Sequence, residues 1–222
     1  MLVNKNTYQE IGKDLNQKNV TLVAVSKTKP VEAIQELYEL GQRDFGENYV
    51  QELIDKQSKM PSDIRWHFIG HLQSNKVKYI APFVHLIHGV DSYKLLKEIN
   101  KQGEKQGRVI DVLMQIHIAQ EETKFGLDSK ELEEVITQSG IDQLKNVRIR
   151  GLMGMASFSD DQTLVRREFQ YLRSLFNKYN SNLPMFTILS MGMSGDYQLA
   201  VEEGSTMVRI GSLLFGARNY QQ

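Results

Sequence analysis

The stretch that decides the fold is Leu22-Val23-Ala24-Val25-Ser26-Lys27-Thr28-Lys29-Pro30, residues 22–30. Its apolar run is rich in β-branched residues, is too short for a helix and ends before a proline. It therefore predicts a buried strand with Lys27 at its carboxyl tip. Ligands of parallel α/β proteins bind at the carboxyl ends of the strands, so Lys27 stands where chemistry is expected. The alternative is an ordinary solvated loop lysine.

Composition narrows the class of protein. The 222 residues are 41% hydrophobic and 24% charged, as in an ordinary globular domain, and 27 basic residues balance 27 acidic ones. The charge balance gives nucleic-acid binding no support, and the absence of cysteine excludes disulfides, thiolate nucleophiles and cysteine-ligated metals. Residues 1–17 are unlike a targeting peptide, and no apolar run reaches membrane-spanning length. We therefore expect a cytoplasmic protein with no nucleic-acid or membrane partner.

Predicted strands alternate with predicted helices along the whole chain. Apolar runs predict eight strands, at 21–26, 44–46, 65–70, 84–88, 109–118, 147–153, 186–189 and 206–210. Helical spacing predicts helices at 4–18, 31–40, 48–59, 93–105, 131–138, 164–179 and 197–203, with a short one capped by Ser74. No linker or repeat divides the chain, so we predict a single (β/α)₈ barrel domain over residues 1–222 with an additional N-terminal helix. A doubly wound open sheet is the alternative.

Closing a barrel brings together loops that are far apart in the sequence. Strand eight then neighbours strand one, so residues 25–27, 189–195 and 208–212 lie side by side. The two later stretches are rich in Gly and Ser, which suit an anion, and barrels frequently bind phosphate after strands seven and eight. An amine beside a phosphate site suggests a phosphorylated carbonyl compound held as a Schiff base. Two classes fit, pyridoxal 5′-phosphate (PLP) and the sugar phosphate of an aldolase.

Other polar side chains have more than one interpretation. Arg209, at the end of strand eight, could aim a fixed cation at a pyridine nitrogen in the barrel mouth, and a structural ion pair is its alternative role. His67 and His71 straddle the end of strand three, but no carboxylate joins them at helical spacing, so a structural or cleft-lining role is favoured over a metal site. Glu47 is a candidate supporting acid. We predict no metal site.

Five motifs carry a family resemblance. They are residues 24–30 (AVSKTKP), 46–52 (GENYVQE), 66–76 (WHFIGHLQSNK), 190–194 (SMGMS) and 208–218 (VRIGSLLFGAR). In this order and over nearly the whole chain, they resemble the pyridoxal phosphate homeostasis proteins, single-domain relatives of the barrel half of alanine racemase. The motif positions show no departure from the pattern of that family.

The resemblance implies a cofactor and its site. Lys27 matches the lysine that holds PLP as an internal aldimine, Arg209 matches the arginine that faces the pyridine nitrogen, and Asn48 matches a residue of the cofactor cleft. The matches to the phosphate-binding positions are Ser190, Met191, Gly192, Ser194, Gly211 and Ser212. Members of the family are taken to bind, buffer and deliver PLP, so PLP-dependent apo-enzymes are expected partners. We expect a monomer.

Weak turnover is expected for two reasons. A guanidinium cannot accept a proton, so an arginine leaves the pyridine nitrogen unprotonated and weakens the ring as an electron sink. The resemblance adds that alanine racemase carries a tyrosine base on a further β-domain, whereas this sequence ends at Gln222, soon after strand eight. A PLP-dependent amino-acid racemase or lyase is the alternative function, and a Schiff-base aldolase without PLP is a third.

Overall fold

Eight parallel strands close into a barrel. The computed structural model describes residues 2–121, 125–181 and 185–216. The strands, in chain order, are β1 (Thr21–Val25), β2 (Asp44–Glu47), β3 (Arg65–Phe68), β4 (Leu86–Val90), β5 (Ile110–Ile116), β6 (Val147–Gly154), β7 (Ile188–Ser190) and β8 (Met207–Ile210). Each pairs with the next, and β1 pairs with β8 through Leu22 opposite Val208 and Ala24 opposite Ile210. The chain is therefore a (β/α)₈ barrel, and the open-sheet alternative is wrong.

Helices follow the strands and cover the outside of the barrel. They are α1 (Lys5–Gln17), α2 (Val31–Glu39), α3 (Val50–Gln57), α4 (Val77–Ile80), α5 (Tyr93–Lys105), α6 (Ser129–Ile136), α7 (Gln162–Asn180), α8 (Tyr197–Glu202) and α9 (Ser212–Phe215). The N-terminal helix α1 precedes β1, as predicted. Within the described ranges, no helix combines the length and apolar character needed to cross a lipid bilayer.

Local sequence signals explain where several helices begin. Asp128 accepts hydrogen bonds from the N–H groups of Lys130 and Glu131, and the Glu131 carboxylate accepts one from the Asp128 N–H, so a capping box starts α6. The prediction for Ser74 needs a correction, because it is the first residue of a 3₁₀ turn, Ser74–Lys76, and its side chain caps no helix. The position of β4 also shifts: Val84 bonds back to the Ile80 carbonyl, so the strand starts two residues later than predicted.

The barrel interior contains an apolar layer and a polar layer. Val23, Leu86, Leu113, Met153 and Met207 form a small cluster separate from the main core, which lies between the strands and the helices. The polar layer consists of four buried side chains on β3, β4, β7 and β8, namely His67, His88, Ser190 and Arg209. Buried polar groups are costly unless they are hydrogen-bonded, so this layer indicates a functional constraint.

Candidate functional site

A cavity of about 700 Å³ opens at the carboxyl ends of the strands. Lys27, Asn48 and Arg209 line it, together with residues 193–196 from the loop after β7 and residues 211–213 after β8. The structure therefore brings together the three stretches that the barrel closure predicts as neighbours. Six of the nine predicted site residues line this cavity, and the other three lie beside it.

Two anchored neighbours position Lys27. Ser26, which is fully buried, donates its hydroxyl hydrogen to Glu47 Oε1 at 2.6 Å, and the Thr28 N–H bonds Glu52 Oε1 at 2.6 Å. Thr28 has φ of 63°, a left-handed conformation that a β-branched residue rarely adopts. The hydrogen bond to Glu52 holds this unfavourable turn, so the backbone on both sides of the half-buried Lys27 is fixed.

A buried charge cluster supports this loop from below. The Lys56 ammonium donates to Glu47 Oε1 at 2.8 Å, to Glu52 Oε1 at 2.6 Å and to the Ser26 carbonyl at 2.8 Å. Burial raises the pKa of Glu47 to about 7, even though Lys56 and Ser26 act to lower it. The other oxygen of Glu47 is buried without a hydrogen-bond partner. Glu47 therefore supports Ser26 from within the barrel wall, consistent with the supporting acid expected from the sequence.

Lys29 lies in the same cavity but is engaged differently. Its ammonium donates to the carbonyl oxygens of Phe215, at 2.9 Å, and Gly216, at 3.3 Å. These carbonyls end α9, where a cation is electrostatically favoured. Lys29 thus ties the start of α2 to the last helix, and Lys27 is the better-placed lysine for ligand chemistry.

Two loops that line the cavity carry main-chain N–H groups that no other described residue uses. No described residue accepts a hydrogen bond from the N–H groups of Ser194, Gly195, Ser212 and Leu213, all of which line it. The Gly211 N–H bonds Ser194 Oγ at 3.2 Å and so joins the two loops. Unpaired amide groups that converge from neighbouring turns form a concavity suited to an anion such as phosphate.

Ser190, Met191 and Gly192 lie beneath this concavity. Ser190 and Met191 are fully buried, and the Ser190 hydroxyl points into the barrel, toward His88 and Arg209. Gly192 has φ of 96°, and a Cβ there would come within 2.6 Å of the Ala200 Cβ, so only glycine fits the turn. The three residues therefore shape the turn and occupy the space below it, while Ser194 and the residues after it line the cavity.

Arg209 is buried in the floor of the cavity. Its guanidinium donates to Ser190 Oγ at 2.6 Å and to the Gly154 carbonyl at 3.0 Å. Burial lowers the pKa of Arg209 to about 10, and the nearby carboxylate of Asp196 acts to raise it, so the side chain is a cation at neutral pH. No described carboxylate forms a salt bridge with it. The structural ion pair considered for this residue is therefore not seen.

Asn48 follows β2 at the cavity wall. Its amide oxygen is buried and has no hydrogen-bond partner among the described residues. An unpaired buried acceptor is costly, and in a ligand-binding cavity a donor from the ligand can satisfy it. Asn48 thus offers a hydrogen-bonding position to a molecule in this cavity.

The other histidines have separate surroundings. His71 stacks on Phe125, with ring centroids 4.7 Å apart, and lies 3.3 Å from a carboxylate oxygen of Asp91. His67 lies in the barrel interior. With Asp44 and His85 it brings three ligand atoms within 4.8 Å of one another, a spacing suited to a metal ion. However, the Arg65 guanidinium already bonds both Asp44 oxygens, at 2.7 and 2.5 Å, and its charge disfavours a cation there.

Comparison with known proteins places the chain in a family. Residues 5–219 match the family model for the N-terminal domain of alanine racemase. A pyridoxal phosphate homeostasis protein of Aquifex aeolicus is 44% identical over 90% of this chain and 87% of its own length. The chain belongs to the pyridoxal phosphate homeostasis protein family. The homologue in this family from Vibrio alginolyticus is 42% identical over 91% of this chain and 88% of its own length.

Two solved structures of PipY from Synechococcus elongatus match the barrel closely. The form without PLP has 37% identity and a TM-score of 0.89 over 95% of this chain and 99% of its own. The form with PLP bound has 38% identity and a TM-score of 0.81, covering 89% and 93% of the two chains. The family resemblance predicted from the five motifs is confirmed. Ala217 and Arg218, which end the fifth motif, lie outside the described residues.

Proposed function

We propose that this chain is a PLP-binding homeostasis protein that holds the cofactor in the cavity at the carboxyl ends of the strands. One observation carries the proposal: an amine, a buried guanidinium and a set of main-chain N–H groups with no partner among the described residues line a single cavity. The names of the relatives and the PLP-bound form of PipY support the same ligand. We further propose that residues 1–222 form one cofactor-binding domain.

The covalent contact is assigned to Lys27. Lys27 would hold PLP through its amine, and the cofactor would supply an aldehyde with which a neutral amine can condense, with loss of one water molecule and no change of oxidation state. The anchored residues on either side, Ser26 and Thr28, limit the positions that the amine can take. Holding reacting groups in place in this way favours the bond between them.

The phosphate is assigned to the two loops. Hydrogen-bond donors would come from the hydroxyl groups of Ser194 and Ser212 and from the main-chain N–H groups of residues 194, 195, 212 and 213. Gly211 joins the two loops through its N–H bond to Ser194. Ser190, Met191 and Gly192 are proposed to act through the shape of the first loop, and the Ser190 hydroxyl through Arg209. Charge-assisted hydrogen bonds to a phosphate are strong, so these contacts supply much of the affinity.

Arg209 and Asn48 complete the proposed site. The guanidinium of Arg209 would face the pyridine nitrogen and, because a guanidinium donates hydrogen bonds and accepts none, would keep that nitrogen unprotonated. The bound ring is then a weak electron sink, which suits a protein that stores and transfers PLP more than one that turns over amino acids. Asn48 offers its unpaired oxygen to a donor of the bound molecule.

The cellular role is proposed from this chemistry. A site that holds PLP through a reversible covalent bond buffers the free aldehyde and can release it to PLP-dependent apo-enzymes. We propose that the protein does so in the cytoplasm and as a monomer. A visible absorption band on adding PLP to the pure protein, bleached by borohydride, tests binding and separates this function from a Schiff-base aldolase that uses no PLP.

Pyridoxal without its phosphate is expected to bind far more weakly than PLP. Removing the phosphate removes the charged acceptor of the two loops, and each hydrogen bond to a charged group contributes about 1.5–3 kcal/mol, so two such contacts give on the order of a thousandfold. Spectroscopic titration of the wild type with the two aldehydes measures the ratio. Equal affinities would mean that the loops at 194–195 and 211–213 are not the phosphate site.

Slow exchange of the Cα hydrogen of bound amino acids is expected for the wild type. An unprotonated pyridine ring stabilises a Cα carbanion poorly, so proton loss at that carbon has little driving force. Incubation of the PLP-loaded protein with L- and D-alanine in deuterium oxide, followed by NMR, gives the exchange rate. Arg209→Glu, if it retains PLP, should exchange faster because its carboxylate favours a protonated nitrogen. Fast exchange in the wild type would favour the racemase or lyase alternative.

A further inference from the structure

A row of hydrogen bonds crosses the barrel interior from one mouth to the other. Asp44 Oδ1 lies 3.0 Å from His67 Nε2, and His67 Nδ1 lies 2.9 Å from His88 Nε2. His88 Nδ1 lies 3.2 Å from Ser190 Oγ, which is 2.6 Å from Arg209 Nη1. We call these five side chains the barrel chain. It joins residues of β2, β3, β4, β7 and β8, and each member is at most 8% exposed.

The far end of the barrel chain reaches the amino ends of the strands. Asp44 opens β2 and lines a second cavity of about 710 Å³, at the mouth opposite the proposed cofactor site. The Arg65 guanidinium binds both of its oxygens. Burial acts to raise the pKa of Asp44, but hydrogen bonds from His67 and Arg65 outweigh it and hold the pKa at about 2. The barrel chain therefore ends in a carboxylate at neutral pH.

With neutral imidazoles, the hydrogens can be placed in only one direction. The carboxylate of Asp44 can only accept, so His67 carries its hydrogen on Nε2 and accepts at Nδ1. His88 must then donate from Nε2 and accept at Nδ1. Burial holds the pKa of His88 well below its usual value, which keeps this ring neutral. Ser190 donates its hydroxyl hydrogen to His88 and turns its oxygen lone pairs toward Arg209. Every dipole then points the same way.

This direction explains how a buried guanidinium is tolerated. The hydrogen-bond partners of Arg209 among the described residues, the Ser190 hydroxyl and the Gly154 carbonyl, are both neutral. A buried cation normally needs a counter-charge or aligned dipoles. The barrel chain supplies aligned dipoles that begin at Arg209 and end on the carboxylate of Asp44, and hydrogen bonds in such a chain strengthen one another.

We propose that Asp44 is a positioning residue for the cofactor site, and that it fixes the orientation and electrostatic environment of Arg209 through His67, His88 and Ser190. This inference rests on the proposed function, in which Arg209 faces the pyridine ring. Of the five side chains in the barrel chain, Arg209 is the one that would contact the cofactor ring, and the other four would act through it. The amino-terminal mouth of the barrel is thus coupled to the cofactor at the opposite mouth.

The ring tautomers test the barrel chain without any cofactor. Nitrogen-15 NMR of the apo-protein is expected to show both His67 and His88 with hydrogen on Nε2. Asp44→Asn replaces the carboxylate with a neutral amide that can both donate and accept, so a second tautomer should become populated at both rings. Asp111→Asn is the matched control, because Asp111 is an arginine-paired acid at the same mouth but outside the barrel chain. It should leave both tautomers unchanged.

The bound cofactor gives the second readout. Asp44→Asn is expected to shift the absorption band of bound PLP and to weaken PLP binding about three- to tenfold, the usual range for coupling through a packed network. Asp111→Asn should alter neither the band nor the affinity. Ser190→Ala cuts the same network next to Arg209 but leaves Asp44 in place, so it should keep hydrogen on Nε2 of both rings and still shift the absorption band of bound PLP. It therefore tests the link to Arg209 even if Asp44→Asn does not fold.

The outcomes distinguish a failure of the barrel chain from a failure of the proposed function. Hydrogen on Nδ1 of either ring in the wild type, or an Asp44→Asn spectrum identical to that of the wild type, would overturn the barrel chain. Equal effects of Asp44→Asn and Asp111→Asn would also overturn it, because they would reflect a general loss of stability. A wild type with the expected tautomers that binds no PLP would instead refute the proposed function and leave the hydrogen-bond direction intact.

Discussion

Lys27→Ala is expected to abolish the covalent attachment of PLP. Without the amine at the tip of β1, no Schiff base can form there, so borohydride should fix no pyridoxyl group to that variant. PLP should still bind, through its phosphate and through Arg209, and should show the spectrum of the free aldehyde. Borohydride reduction of the wild type, digestion and peptide mass mapping should place the label on Lys27, with one pyridoxyl group per chain.

Lys29→Ala is the matched control for this experiment. Lys29 lines the same cavity two residues away, but its ammonium is engaged by the carbonyl groups that end α9. The variant should therefore keep the full pyridoxyl label at Lys27, and its only expected change is a lower free energy of unfolding. A label that maps to Lys29 in the wild type, or full labelling of Lys27→Ala, would assign the chemistry to a different amine.

The sequence predicts the barrel well because one pattern recurs along the chain: seven of the eight predicted strands are followed by a predicted helix. Each short strand followed by a helix indicates the same unit, and errors of two residues, as at β4, do not change the topology. The four-residue helix α9 was not predicted, since it is too short to show a helical period. The position of Lys27 follows from the strand assignment alone.

The barrel chain could not be predicted in the same way. His88 bonds Ser190, which is 102 residues later in the sequence, so its partner is set by barrel closure and not by local spacing. The sequence carries one local signal of this network. His88 is a polar residue in the otherwise apolar strand β4, and a buried polar side chain needs a hydrogen-bond partner. Ser190 is predicted at a phosphate-binding position from the family resemblance. In the structure it ends β7 and its hydroxyl bonds His88 and Arg209, a direction that depends on the alternation of side chains along the strand.

The Lys27 loop and the barrel chain share one feature: buried polar groups from other parts of the chain hold the residues that we propose contact the ligand. Ser26 and Thr28 are anchored by Glu47 and Glu52, as Arg209 is anchored by the barrel chain. Such supporting contacts keep reactive groups within a narrow range of positions. They also make the site sensitive to substitutions that never touch the ligand.

Lys56→Met is expected to be the most destabilising single substitution at this site. Lys56 is 5% exposed, and its removal leaves the buried Glu47 carboxyl without its counter-charge. Removing one partner of a buried ion pair costs about 3–5 kcal/mol of unfolding free energy. For a chain of this size that lowers the melting temperature by on the order of 10 °C. PLP binding should weaken as well, since the Ser26 carbonyl loses its hydrogen bond from Lys56. Denaturant unfolding and PLP titration measure both effects.

Two comparisons make this last prediction specific. Lys59→Met, an exposed substitution just after the same helix, should change the unfolding free energy by no more than about 0.5 kcal/mol.

The second comparison is between the stabilities of Lys56→Met at two pH values. The pKa of Glu47 is raised from its ordinary value of 4.5 to about 7 in the folded state. A carboxyl with a raised pKa contributes stability that is present below pH 4.5 and is lost as the pH rises through 7. Losing Lys56 raises that pKa further, so the loss of unfolding free energy in Lys56→Met should be smaller at pH 5 than at pH 8. At pH 8 the folded variant must either bind a proton at Glu47 or bury an ionised carboxylate without its partner. Adding Glu47→Gln should remove this difference. A deficit that is the same at both pH values would show that lost packing, and not the unpaired carboxylate, accounts for the effect.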